Sequence, residues 1–441
     1  MLSVLGDRTY RHLFSAQVIA LVGTGMMTVA LGLLAFEIAG DTAGAVLGTA
    51  LAIKMLAYVG VAPVVAGFAN YLPRRAFLVS MDLMRAAVAV ALPFVDQVWQ
   101  VYVLIFVLQA ASAAFTPTFQ ATIPDVLPDE AQYTRALSLS RLAYDMESLL
   151  SPTLAAALLT LITYNGLFVG TVVGFLCSAG LVLSVTVPQP EPSGRKGGIY
   201  ASTTRGIRIY LATPRLRGLL ALNLSVAAAG AMVIVNTVVL VRGFLGGTDS
   251  QVALALGCFG GGSMAAALML PKLLDRLSDR AVMLPSAGVL AGTLFAFAAI
   301  LSAPQSEDWL WQALLPTWLI LGAAYAAVMT PSGRLLRRSA RAADRPAVFA
   351  AQFALSHACW LLTYPLAGWL GSTLGMVPTL LVLAGVAFCG VLLARSLWPS
   401  EDPDVVQHEH PELPAEHPHV RGERAHHAHA YTIDELHRRW P

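Results

Sequence analysis

The sequence predicts an all-α integral membrane protein with twelve transmembrane helices in two six-helix repeats and both N- and C-termini cytoplasmic. Three observations lead there. Of the 441 residues, 56% are hydrophobic and only 12% charged, against about 25% charged in an ordinary soluble domain, and mean hydropathy is +0.66. Twelve stretches reach the length of about 20 apolar residues that a helix needs to cross a bilayer. The punctuation between them also repeats. Gly67 to Arg85 closes one apolar segment, carries Arg74 and Arg75 in a short loop, and opens the next with Asp82 and Arg85 already inside it. Leu273 to Arg280 does something similar about 204 residues later, and Thr9-Tyr10-Arg11 is echoed at that offset by Thr213-Pro214-Arg215. Matching punctuation in two halves is how an internally repeated membrane bundle shows itself in sequence.

In chain order the spans fall at 13–38, 44–69, 76–95, 98–121, 136–162 and 165–187, then at 216–241, 251–274, 281–302, 309–331, 347–371 and 374–397. Residues 1–187 are thus an N-terminal half and 215–398 a C-terminal half, joined by a cytoplasmic linker, 188–214, rich in Pro, Gly and basic residues. After Trp398-Pro399 hydropathy collapses, and 399–441 reads as a disordered, histidine-rich cytoplasmic tail. Pro63, Pro93, Pro117, Pro152 and the Gly260-Gly261-Gly262 run lie within spans. There neighbouring helices satisfy freed backbone groups, and small residues allow close packing.

Lys and Arg orient the bundle. Net charge is only +2, yet Arg74 and Arg75, the Arg195 to Arg217 cluster, Lys272 to Arg280 and Arg334 to Arg345 share one side, while the opposite loops hold only Arg242. Asp7, Arg8 and Arg11 precede the first apolar run without a small-residue cleavage site, so that run is expected to be retained. Cys177, Cys258, Cys359 and Cys389 sit singly inside spans, which predicts no disulfides and no cysteine-based zinc site. With no nucleophile–base pair, HExxH motif or phosphate loop, an enzyme is not expected, nor is nucleic-acid binding. The expected partners are the lipid of a cell (inner) membrane, a small solute or metal ion, and protons, with the chain acting as a monomer.

A charge near the bilayer centre costs at least about 2.5–3.5 kcal/mol on insertion scales, so each one needs a partner or a task. Lys54 lies about 15 Å from the outer end of the second span by helical rise, and His357 sits at similar depth in the eleventh. The fifth span carries Arg141, Asp145 and Glu147. Asp145 can pair with Arg141 one turn away or face the interior. Glu147, rotated about 200° from Asp145, cannot share its partner. A desolvated carboxyl there can load and release a proton. His357 is the other candidate switch, unless a neighbouring hydroxyl or carbonyl satisfies it. Asn223 and Asn236 in the seventh span offer polar contacts to a solute, and Glu37 marks the outer rim.

Across residues 8–398 these features resemble the major facilitator superfamily. Its signature between the second and third helices is a Gly, an Asp-Arg and a basic pair. Here Asn70-Tyr71 replace Asp-Arg, Leu72-Pro73-Arg74-Arg75 and Asp82 with Arg85 fit, and the second copy keeps Asp275-Arg276 and Arg280. The resemblance implies that these residues latch the halves on the cytoplasmic side, and that the second and eleventh spans lie side by side. Phe115-Thr116-Pro117 through Pro124-Asp125-Val126-Leu127-Pro128 to Arg135-Ala136-Leu137 is similar to the branch containing macrolide and siderophore exporters. Ser151-Pro152-Thr153-Leu154-Ala155-Ala156 resembles the antiporter motif Gly-Pro-x-x-Gly-Gly, with serine and alanines in place of glycines, which favours export by antiport. The arginine that many drug–proton antiporters carry in the fourth span is missing.

Eight of the ten histidines fall in 401–441, among them His426 and the pairs His408/His410, His417/His419 and His427/His429. Residues two apart in an extended chain point the same way, so each pair can offer two imidazoles to one ion. Imidazole and carboxylate without thiolate suit Ni, Co, Zn or Cu(II); the other reading is a solvated tail that meets metal incidentally. Such a tail is similar to the nickel-resistance members of the superfamily. No cofactor is expected beyond Ni2+ or Co2+ as substrate or tail ligand. The functional expectation is a secondary active, proton-coupled exporter of a divalent metal such as nickel or cobalt. The alternatives are an exporter of a drug or siderophore-like organic solute, and a membrane metal sensor that transports nothing. Reporter fusions test the topology: those at Ser202 and Ala340 are expected to report cytoplasm, and one at Asp249 the outside.

Overall fold

The structure, a computed structural model, describes residues 2–39, 43–69, 72–159, 161–189, 199–304, 306–403, 405–408, 427–434, 436–437 and 440. The first half comprises α1 (Arg8–Ala39), α2 (Ala43–Ala69), α3 (Arg74–Ala91), α4 (Val98–Val126), α5 (Glu130–Leu159) and α6 (Tyr164–Leu183). A linker helix, α7 (Ile199–Ala212), precedes α8 (Pro214–Val238), α9 (Asp249–Leu274), α10 (Asp279–Ser302), α11 (Glu307–Met329), the short α12 (Ser332–Arg338), α13 (Arg345–Thr373) and α14 (Met376–Leu397). Among the described residues ten helical segments are long and apolar enough to cross a membrane. Of the remaining long helices, α5 carries Glu130, Arg135, Arg141, Asp145 and Glu147, which dilute its apolar character.

Helix starts follow local chemistry. Ser278 and Ser306 each accept a hydrogen bond from the backbone N–H three residues on, and Thr248 with Gln251 closes a capping box. Pro214 stands at the start of α8, where its missing N–H costs nothing.

The two halves repeat one packing scheme. In the first, α1 packs on α5 and α6, α3 on α4 and α6, and α2 on α4. In the second, α8 packs on α13 and α14, α10 on α11 and α14, and α9 on α11. Between halves α2 pairs with α13 and α5 with α9, as a pseudo-two-fold axis requires, and α4 also touches α13. The α9–α11 crossing brings backbone against backbone: a Cβ on Gly322 would overlap the Phe259 carbonyl, and one on Gly262 the Leu319 carbonyl. Gly262 of the Gly260–Gly262 run is therefore packing surface, as small residues at membrane helix contacts usually are, whereas Gly261 meets open space. Phe94, Val169, Met269 and Trp369 stand exposed on the outside of the bundle, suited to lipid.

Two stretches differ from the sequence expectation. The linker is more than a loop, since α7 lies against α2 and α13 and Gly206 meets the Ala347 carbonyl. Tyr210 donates to the Gln352 side chain, and Arg205 binds Asp344 at 2.6 Å. The tail, expected to be disordered, is folded at its described residues. Strand β1 (Val405–His408) pairs antiparallel with β2 (His427–Ala430). Tyr431 and Ile433 are buried against the C-terminal core, with Val406 and Trp440 beside them. Asp402 reaches Arg215 at 3.4 Å, and Asp434 pairs with Arg341. Four apolar side chains in a polar tract are enough to anchor it.

The Gly322 contact yields a test of the crossing. Gly322→Val forces overlap with a helix backbone, and overpacking of this kind costs about 1–3 kcal/mol or more. It is expected to lower the thermal midpoint of the purified protein, whereas Gly257→Val, which meets open space, leaves it unchanged.

Candidate functional site

Two groups of aromatic side chains form a wall along α13. Phe353, His357, Trp360 and Tyr364 recur at steps of three and four on α13, and so share one helix face. Tyr58 on α2 meets the His357 ring edge-on at 4.7 Å and Phe353 at 4.9 Å, with Phe353 and His357 themselves 4.2 Å apart. The wall continues into the C-terminal half through Trp360 to Tyr325 at 6.5 Å and on to Phe259 at 5.5 Å. These rings are half-buried.

Two cations flank the wall. The Lys54 ammonium sits 5.5 Å from the Tyr58 ring centre. Arg141 crosses from α5, donating to Ser263 Oγ on α9 at 3.1 Å and stacking on Tyr325 at 4.7 Å. Glu147 is half-buried and lies in the field of Lys54, as does His357. Tyr144, one turn from both Arg141 and Glu147, bonds Gln17 of α1. His357 Nδ1 faces the Phe353 carbonyl at 2.7 Å and must donate there, so in the neutral ring Nε2 is an acceptor. Lys54, Glu147 and His357 thus come together from α2, α5 and α13. The Asp145, Ser151 and Pro152 side chains lie outside the described residues, although α5 runs through all three positions.

Other predicted residues sit elsewhere. Asn223 donates to the Leu219 carbonyl and Asn236 to the Ala367 carbonyl at 3.3 Å, both buried in C-terminal packing rather than offered to a solute. Asp82 and Arg85 bind each other one turn apart inside the N-terminal half. Ser178 completes Asp82 at 2.8 Å, and the Phe115 and Phe175 rings sandwich Arg85. They hold α3, α4 and α6 together and do not reach the other half. Arg75 donates to the Leu183 carbonyl and Arg280 to the Trp398 carbonyl, while Asp275 and Arg276 are exposed. His408 is buried on β1. The His427 and His429 side chains and all of His410, His417, His419 and His426 lie outside the described residues.

The contacts that close the basic end are two charge triads. Arg74, the first residue of α3, binds Asp125 near the end of α4 at 2.6 Å, and Asp125 also takes Arg345, the first residue of α13. In the other half the signs reverse. Asp279, the first residue of α10, meets Arg334 just beyond α11 at 3.3 Å, and Arg334 reaches Glu130, the first residue of α5, at 2.6 Å. Arg337 adds a bond to the Pro128 carbonyl. Of the latch expected from sequence, only Arg74 takes part directly. In the sequence Asp125 was visible merely as part of a motif and Arg334 and Arg345 as loop charges, and Glu130 did not stand out.

A family model for the Major Facilitator Superfamily matches residues 13–244 and again 220–431. The chain belongs to the Major Facilitator Superfamily. It is a multi-pass membrane transporter, not an enzyme. This superfamily member is 26% identical over 153 residues to Macrolide efflux protein A of Enterococcus faecalis, covering 32% of this chain and 47% of that protein. It is 23% identical over 420 residues to the Uncharacterized MFS-type transporter YvqJ of Bacillus subtilis (strain 168), covering 91% and 95%. The chain thus spans about half the length of the macrolide efflux protein it matches. Among solved structures, the human organic anion transporter MFSD10 superposes with a TM-score of 0.71 at 11% identity, over 88% of this chain and 99% of that one. A bacterial homologue of the iron transporter ferroportin in its outward-facing state gives 0.70 at 14%, over 88% and 98%. At such identities these two likenesses establish the fold alone.

The acids that link the two halves, Asp125 and Glu130, differ in burial, and that sets the weight of each link. Asp125 is 13% exposed between two arginines, and breaking a buried pair by removing one partner costs about 3–5 kcal/mol. Glu130 is 53% exposed, where an ion pair contributes about 0–1 kcal/mol. Asp125→Asn is therefore expected to lower the thermal midpoint of the purified transporter far more than Glu130→Gln.

Proposed function

We propose that this transporter exports a ring-bearing organic solute from the cytoplasm in exchange for protons, with Glu147 as the coupling carboxylate. The observation that carries this reading is the aromatic wall of Tyr58, Phe353, His357, Trp360 and Tyr325, flanked by Lys54 and Arg141. Stacking faces suit a bulky, partly apolar solute, whereas a bare divalent cation would meet two cations. Among the described residues no group of three metal-binding side chains gathers in this space. The similarity to macrolide efflux proteins supports the direction of transport.

Exchange follows from competition for one carboxylate. A solute bearing an amine or hydrogen-bond donor engages ionised Glu147, and a proton arriving there neutralises the partner and releases it. Lys54 compensates the Glu147 charge between the two events. The triads at the basic end hold the halves closed on the side proposed to face the cytoplasm, so loading from that side requires them to part. The divalent-metal reading stands second, on the histidines of the tail.

Everted vesicles separate these readings. With an imposed pH gradient, accumulation of a labelled macrolide without nickel or cobalt flux is expected. Metal flux without macrolide flux would reverse the order, and flux of neither would favour a sensor. Glu147→Gln matches the side chain in shape but carries no proton, and is expected to abolish gradient-driven accumulation while the protein remains folded in the membrane.

A further inference from the structure

The folded tail brings together two histidines that lie 29 residues apart in the chain. His408 Nδ1 stands 2.9 Å from the Val406 carbonyl, and His437 Nδ1 stands 2.9 Å from Asp434 Oδ1. A carbonyl oxygen can only accept. Asp434 is an acceptor too: the backbone N–H groups of Leu436 and His437 donate to the same oxygen at 2.8 Å, and Arg341 binds the other. Both Nδ1 atoms therefore donate, and a neutral imidazole that donates from Nδ1 keeps its lone pair on Nε2.

Those two Nε2 atoms face each other at 3.0 Å. Two lone pairs at that distance repel unless something positive lies between them, either a proton or a metal ion. We propose that His408 and His437 form a binding site for a divalent transition-metal ion, held by both Nε2 atoms, with Val406 and Asp434 orienting the rings from behind. Metal-ligating histidines almost always donate their second N–H to a carbonyl or carboxylate, and here both do. Two nitrogens at about 2.0–2.1 Å from one ion stand about 3.0 Å apart at a right angle and about 3.3 Å at the tetrahedral angle. The observed spacing fits such a pair. Imidazole ligands without thiolate select Zn2+, Ni2+, Co2+ or Cu2+.

The surroundings suit a closed site. The Tyr431 ring lies 4.7 Å from His408 and 4.6 Å from His437, with Trp440 5.1 Å beyond it, and both histidines are buried. Among the described residues Arg341 and Asp434 are charged groups that neighbour it. The local two-residue spacing of the other tail histidines does not reveal this pair, because a hairpin and the segment after it create the contact. The proposal is independent of which solute crosses the bundle. Its consequence is mechanical: the ion fastens β1 to the chain end, Asp434 fastens that end to Arg341, and Arg341 lies four residues before the triad arginine Arg345.

Cobalt is the probe, added to the purified full-length protein in detergent, with binding read by visible absorption and calorimetry. A variant with His410, His417, His419, His426, His427 and His429 all changed to Gln removes the other candidates and is expected to bind one Co2+ per chain. In that background His408→Gln or His437→Gln is expected to weaken binding more than 100-fold, and Asp434→Asn by about 10–100-fold. Because His437→Gln can also undock the tail, His437→Cys provides the control. It keeps a ligand at the position and is expected to restore binding, with a new thiolate-to-cobalt charge-transfer band. Absence of Co2+ binding in the six-histidine variant, leaving a shared proton only, would overturn the proposal. So would His437→Cys with a docked tail and no cobalt band.

Discussion

The structure rests on the problem of placing arginine at the start of a membrane helix. Helix N-termini carry a partial positive charge, yet α3 begins at Arg74 and α13 at Arg345. Asp125 resolves both by lying between them, and in doing so ties the end of α4 to its own half and to the other. The second half keeps the positions and reverses the signs. There Asp279 and Glu130 begin their helices in accord with the dipole, and Arg334 lies between them. These two clusters join the halves at the basic end and, with the helix contacts between them, help to set their spacing.

What they enclose follows from that spacing. The α2–α13 contact that sets Tyr58 against His357 lies in the same seam as Asp125 and Arg345, and α5, which begins at Glu130, carries Arg141 and Glu147 into it. A single helix therefore bears part of the closure at its first turn and Arg141 and Glu147 deeper in. In the exchange proposed above, protonation or solute binding at Glu147 and separation at Glu130 would act on one and the same helix.

The bundle was legible in the sequence because lipid imposes length and apolarity residue by residue, and all six predicted spans of each half coincide with long helices. Lys54, Glu147 and His357 were legible for the same reason, as costly charges and a titratable ring at mid-span. The triads were not. Their members lie 51, 204 and 220 residues apart, and counting positive charge on one side says nothing about which arginine meets which acid. Asp82 and Arg85 were misplaced because a motif suggested a role between halves, although their one-turn spacing already allowed a local pair. In the tail, average polarity concealed Val406, Tyr431, Ile433 and Trp440, whose burial needs a hairpin that no local pattern announces.

The reversal of sign has a consequence for how the two halves find each other. Two copies of the N-terminal half arranged about the same axis would set Asp125 against the counterpart of Glu130, acid against acid. Two copies of the C-terminal half would set Arg334 against the counterpart of Arg345, cation against cation. Only the mixed pair is attractive at both junctions. An arrangement built on duplication has thereby become self-discriminating: each half is complementary to its counterpart and repels its own likeness, which guards a chain emerging into a crowded membrane from joining with the wrong half of a neighbour.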